Sequence, residues 1–110
     1  MKPIVIYSSR IPGMLGAEAL CLAPFIIFSQ CKKKTLKCTM KHELIHFEQA
    51  QRDGLLTFHI GGLVDMLSKW ARTGSYLKAV TETPYELEAY GRERERLKKH
   101  EKALLGLQAK

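Results

Sequence analysis

Lys41-His42-Glu43-Leu44-Ile45-His46, continued by Phe47-Glu48-Gln49, is the stretch around which the rest of this 110-residue chain is arranged. Leu36, Met40, Leu44 and Phe47 stand four, four and three residues apart, the spacing of a helical stripe facing a core. At 3.6 residues per turn, His42 and His46 lie about 40° apart around the axis and about 6 Å apart along it. Two imidazoles so placed can reach one metal ion, at about 2.0–2.1 Å each for zinc. Glu43 lies about 100° round from His42. That puts it beside such an ion and not on it, where a carboxylate can take a proton from water. The pattern predicts a helix starting at Thr35 or Thr39, either of which can cap it. It ends at Asp53-Gly54, where glycine suits the left-handed position past a helix end.

Upstream, residues 3–8 are apolar and rich in β-branched and aromatic side chains, which reads as a short buried strand. Residues 12–16, with Pro12, Gly13 and Gly16, read as a loop. Two further apolar runs, 18–22 and 25–29, are broken at Ala23-Pro24 and predict two short strands or a bent hairpin. Pro24 has no amide to donate, so it belongs at an edge or bend. Residues 30–37 form a solvated, lysine-rich connector. Downstream, residues 55–71 read as a second helix with Leu56, Ile60, Leu63, Val64, Leu67 and Ala71 as its buried stripe. Gly61-Gly62 either weakens that helix or lets a neighbour approach closely. Residues 76–80 read as a linking turn. A third helix starts at Thr83-Pro84, with Thr83 as N-cap and Pro84 at the first helical position. It continues through the charged run 92–102, whose alternating signs suit a solvated face. The expectation is a single α+β domain over 1–110: a short N-terminal sheet of about three strands, then about three helices, with 103–110 as a short tail.

The composition, 45% hydrophobic and 26% charged, is that of an ordinary globular domain. A formal charge of +7 favours acidic partners or anionic surfaces without naming one. No basic run is interleaved with aromatics, so a nucleic-acid partner rests on charge alone and is not expected. The longest apolar run, 19–28, contains Pro24 and is about half of a bilayer span, so no membrane partner is expected either. The start of the chain lacks the long apolar stretch of a signal peptide. Cys21, Cys31 and Cys38 cannot all pair within one chain, which suggests reduced thiols and a cytoplasmic location. A Cys31–Cys38 disulfide is the alternative for an exported chain.

A zinc site that keeps one position open for water needs a third protein ligand. His59, Glu82, Glu86, Glu88 and the two later cysteines, Cys31 and Cys38, are candidates. A closed site of Cys31, Cys38, His42 and His46 is a different solution, but its cysteine spacing is longer than usual and it leaves Glu43 without a role. Thr83-Pro84-Tyr85-Glu86 also spells a capping box, in which Glu86 turns back to the N-cap amide and leaves Glu88 to ligate. Glu86 and Glu88 lie about 200° apart on a helix, so only one can face the metal. Gln49, one turn beyond His46, is either a hydrogen-bonding support for the site or an exposed glutamine. Tyr76, Tyr85 and His59 are candidate donors to a developing oxyanion. Tyr76 is preferred for its place just before the third helix.

His42-Glu43-Leu44-Ile45-His46-Phe47-Glu48-Gln49, followed about forty residues on by Thr83-Pro84-Tyr85-Glu86-Leu87-Glu88-Ala89-Tyr90, resembles the gluzincins. These are metallopeptidases with HExxH and a downstream glutamate helix. Strands before the motif and helices after it, in so short a chain, are similar to the minimal members called minigluzincins. They are also similar to small bacterial and phage-encoded HExxHxxQ proteins read as peptidases. The likeness spans about residues 16–92. It implies Zn2+ held by His42, His46 and Glu86, with Ala89 three residues after the ligand glutamate, and Glu43 as general base. The substrate would be a peptide or unfolded protein, added as an extended strand along residues 18–22. The competing reading is a zinc-binding adaptor that is weakly active or latent, since a short chain leaves few residues for substrate subsites. The tail 103–110 would enforce latency by folding over the cleft.

Overall fold

The computed structural model describes residues 2–107. Its elements are β1 (Ile4–Ile6), α1 (Ile11–Met14), β2 (Ala19–Leu22), β3 (Phe25–Phe28), α2 (Lys37–Asp53), α3 (Leu55–Thr73), α4 (Tyr76–Thr81), α5 (Pro84–Arg92) and α6 (Lys99–Leu104). This is the expected α+β architecture, strands first and helices after. The sheet order is β1-β3-β2, with β3 parallel to β1 and antiparallel to β2. Phe25-Ile26-Ile27-Phe28 is apolar at every position and takes the centre, where Ile26, Ile27 and Phe28 are buried. Pro24 sits at the bend between β2 and β3, with Ala23–Pro24 cis. β2 is left as an edge strand.

The core joins sheet to helix. Met40, Leu44 and Phe47 of α2 share one buried cluster with Ile26 and Phe28. Leu36, the fourth residue of the expected stripe, is the N-cap of α2 and is exposed. Neither threonine caps the helix, because Thr35 Oγ1 donates instead to the Cys31 carbonyl at 2.9 Å and α2 starts without a side-chain cap. Gly54 has φ 93° and ψ 143°, a positive φ that glycine accepts, but an extended ψ. It therefore turns the chain directly into α3 and forms no left-handed cap.

Three expectations downstream are corrected. The stripe of α3 is not buried: Leu56, Ile60, Leu63, Val64 and Leu67 are exposed, and Phe58 is the one buried residue of that helix. Helical periodicity shows that a helix is two-faced; it does not say which face the remaining elements cover. α3 is held through Phe58, whose ring lies 4.8 Å from that of Tyr85, and Gly62, where an added Cβ would meet the Tyr85 ring at 3.9 Å. Residues 76–81 form a helix, not a turn, begun by Ser75 accepting the Lys78 amide at 3.2 Å. The charged run 92–102 is not one helix. α5 stops at Arg92, Leu97 enters the core, and α6 restarts at Lys99. Within the break, Glu93 turns to His42 Nδ1 at 2.9 Å and Leu97 joins the core cluster.

The tail belongs to the core. Leu105 is buried in the same cluster as Phe28 and Met40, and its carbonyl accepts from the Tyr7 hydroxyl at 2.7 Å. Lys41, also buried, donates to both oxygens of Glu101 at 3.0 and 3.2 Å. Residues 103–107 are thus fixed on the sheet side of α2 and do not line the cleft described below. Residues 108–110 lie outside the described residues. Among the described residues, no helix is long and apolar enough to cross a membrane.

Candidate metal centre

The same four-residue spacing that puts Leu44 in the core puts His42 and His46 on the opposite side of α2, toward α5. Their Nε2 atoms lie 3.1 Å apart, and His42 Nε2 lies 3.1 Å from Glu86 Oε1. His46 Nε2 also meets Glu86 Oε1 in a close contact. Four-coordinate zinc with bonds of about 2.0–2.1 Å would hold its ligand atoms about 3.3 Å apart, close to the separations of His42 Nε2 from His46 Nε2 and from Glu86 Oε1. His42, His46 and Glu86 are the one group of metal-ligating side chains so gathered among the described residues.

The neighbours explain why both imidazoles present Nε2. His42 Nδ1 donates to Glu93 Oε2 at 2.9 Å, and His46 Nδ1 donates to Gln49 Oε1 at 2.8 Å. A ring nitrogen that carries the proton on one side leaves a lone pair on the other. Two lone pairs and a carboxylate oxygen then converge on one point, which is stable only with positive charge between them. Burial lowers the His42 and His46 pKa values, but bonds to Glu86 and the nearby Glu43 charge outweigh it, and both end raised. Burial raises Glu86, but the two imidazoles overcome that and hold it at about 2. A dication at this point would compete with protons for the same nitrogen lone pairs.

Glu43 is buried beside the trio and lines the adjoining cleft. Burial raises its pKa to about 7, with Glu86 adding to the rise and the two histidines opposing it. A carboxylate held there changes protonation state near neutral pH. The cleft encloses about 270 Å³ between β2 and α3. Ala19, Leu20 and Cys21 of β2 form one wall, and Phe58, Leu63 and Met66 of α3 form another.

The choice between the two glutamates falls to Glu86. The Thr83 side chain makes no capping bond, although Thr83 and Pro84 begin α5 as the sequence predicts. Glu86 is therefore free of the capping box and reaches the histidines. Glu88 faces away, accepting from Gln49 Nε2 at 2.9 Å and from Arg52 and Arg92 at 3.4 Å. Gln49 is buried and supports the site: its oxygen fixes His46, while its amide donates to Glu88 and to the Tyr85 carbonyl at 3.1 Å. Glu93 was missed by sequence reasoning, because it lies past the end of α5, where no helical spacing rule reaches.

Tyr76 is not brought to the cleft. Its hydroxyl donates to the Leu15 carbonyl at 3.3 Å, and its ring stands edge-on to Trp70. Tyr85 lines the cleft, but its hydroxyl donates to Asp53 Oδ2 at 2.7 Å. His59 lines the cleft beside Phe58. Tyr90, given no role from the sequence, packs its ring 4.6 Å from that of His42. Cys31 and Cys38 are free thiols outside the metal-ligating group, so the closed Cys₂His₂ site is not formed. Comparison with family models, with curated proteins and with solved structures finds no match for this chain.

Proposed function

We propose that this chain is a zinc-dependent peptidase that hydrolyses bonds in extended or unfolded polypeptides. The observation that carries this reading is the convergence of His42, His46 and Glu86 beside a buried Glu43, at a cleft walled by an edge strand. Two imidazoles and one carboxylate favour zinc over magnesium or calcium, which prefer all-oxygen sites. Bound by His42, His46 and Glu86, zinc would polarise the scissile carbonyl and make water more acidic. Glu43 takes the proton of the attacking water and passes it to the leaving amine. Gln49 and Glu93 hold the two imidazoles in the required tautomer and orientation. β2 pairs only with β3 among the described residues, which leaves its outer edge to hydrogen-bond an extended substrate. The free thiols of Cys21, Cys31 and Cys38 support a reducing, cytoplasmic setting.

The test is Glu43→Gln, assayed for zinc stoichiometry and for hydrolysis of unstructured fluorogenic peptides. The variant should keep its zinc and lose turnover by about 10²–10⁴-fold, the usual contribution of a general base. Undiminished turnover in Glu43→Gln would reject the mechanism. Stoichiometric zinc without hydrolysis of a broad peptide library by the wild-type chain would favour the adaptor reading instead.

A further inference from the structure

Away from the cleft, a second cavity of about 520 Å³ lies between the start of α2, the segment 93–97 that joins α5 to α6, and α6 itself. Lys37, Arg94, Arg96 and Lys102 line it. None of these four side chains has a hydrogen bond or ion pair among the described residues. Two carboxylates also border the cavity, but both are engaged elsewhere. Glu93 accepts from His42 Nδ1 at 2.9 Å, and Glu95 pairs with Arg92 at 3.4 Å and with Lys41 at 3.9 Å. Cations gathered round one space repel one another, and an anion placed between them relieves that repulsion.

The lining selects the kind of anion. Four cations face two carboxylates, a surplus of two positive charges. A phosphate group carries about −1.5 to −2 at pH 7 and three strong acceptor oxygens, whereas a carboxylate brings a single charge. Arg94 and Arg96 offer planar forks suited to paired bonds with phosphate oxygens, and Lys37 and Lys102 add point charges. The volume falls within the roughly 300–1,000 Å³ of small-molecule sites. No aromatic ring lines the cavity among the described residues, so nothing there offers a nucleobase a stacking platform. α2 also begins here without a side-chain cap, and the positive end of its dipole adds to the same field.

We propose that this cavity binds a small molecule through its phosphate groups, held by Lys37, Arg94, Arg96 and Lys102. The site depends neither on zinc nor on peptide hydrolysis. Glu93 borders it and also meets His42, so an occupant stands directly behind the group that orients one imidazole of the metal centre. Cys38 borders the same cavity and is half-buried, whereas Cys31 is exposed and lies outside the lining.

The probe is inorganic pyrophosphate, added at low ionic strength to the full chain after passage over a chelating resin, so that no metal can hold it. Binding is read by calorimetry and by the rate at which iodoacetamide alkylates Cys38, with Cys31 as the internal control, each resolved by peptide mass. The expected result is saturable binding that weakens as salt is raised, with Cys38 protected and Cys31 unchanged. Arg94→Gln/Arg96→Gln should weaken binding by at least about tenfold, the scale of one lost hydrogen bond to a charged group. Lys69→Gln/Arg72→Gln removes the same charge from α3, outside the cavity lining, and should change binding by less than about threefold. Circular dichroism confirms that each variant is folded, and the Cys38 readout tests the wild-type chain without any variant. No heat and unchanged Cys38 alkylation at millimolar pyrophosphate would overturn the proposal. Equal losses in the two double variants would do the same, by assigning the binding to net charge alone. So would succinate binding as tightly as pyrophosphate, or a deca-glutamate peptide binding more tightly, which would assign the cavity to carboxylates or to an acidic protein segment.

Discussion

The strongest internal test of the metal centre compares three neighbouring side chains of α2 and α5: Glu86, Glu88 and Gln49. Structural zinc sites bind with about 10–16 kcal/mol over four ligands, or roughly 2.5–4 kcal/mol per ligand. At about 1.4 kcal/mol per decade, Glu86→Ala should weaken zinc binding by two to three orders of magnitude. Glu88 touches no imidazole. It is partly exposed and ends in a surface network with Arg52 and Arg92, so Glu88→Ala should change zinc affinity by less than about threefold. Gln49 is intermediate. Gln49→Leu removes the acceptor that fixes His46 Nδ1 at 2.8 Å and should cost about 10–100-fold, the usual effect of losing a group that orients a metal-bound histidine. The assay is competition against a chromophoric chelator at fixed neutral pH, with circular dichroism to confirm that each variant is folded. Equal losses for Glu86→Ala and Glu88→Ala, or a Glu86→Ala variant within threefold of wild type, would refute the assignment of the third ligand.

Three further outcomes are expected. In chelator, the thermal midpoint should fall between about pH 5.5 and pH 7.5. Burial holds the Glu43 proton up to about 7 against an ordinary 4.5, so the folded chain binds more protons in that window and loses stability as pH rises. The raised His42 and His46 act in the same direction, their contribution being complete below the ordinary 6.5 and lost above it. Glu86, lowered to about 2, opposes only below its ordinary 4.5, and a midpoint that rises toward pH 7.5 would contradict this account. Lys41→Met should destabilise by about 3 kcal/mol in urea denaturation, the low end for breaking a buried ion pair, because Glu101 keeps the Lys98 amide at 2.8 Å. Cys31→Ser/Cys38→Ser should retain full zinc stoichiometry by atomic absorption; loss of the metal would revive a cysteine-ligated site.

Much of the site was legible because it is local. His42, Glu43 and His46 occupy one helix, so the 3.6-residue period fixes their mutual directions before any tertiary contact forms. The Thr83-Pro84 start of α5 was also legible, since proline at the first helical position costs no hydrogen bond. The class of fold followed from the apolar runs, β3 being apolar throughout and therefore central. These are properties of short stretches read one at a time.

What the tertiary structure decided concerns pairs of stretches. Glu86 or Glu88 could each face a metal from an isolated helix. The choice depends on how α5 is rotated against α2, where the Gln49 amide donates to the Tyr85 carbonyl. Glu93 reaches His42 from beyond the end of α5, across 51 residues of chain, and no local pattern encodes such a contact. The apolar stripe of α3 shows the difference most plainly. Its period made it a two-faced helix in the sequence, but burial is conferred by whatever packs against a face. α2 and α5 take the side of Phe58 and Gly62, and the stripe is left in solvent. In the opening stretch, Lys41-His42-Glu43-Leu44-Ile45-His46, the sequence determined which atoms could meet a metal, and the packing of α5 determined what completes the site.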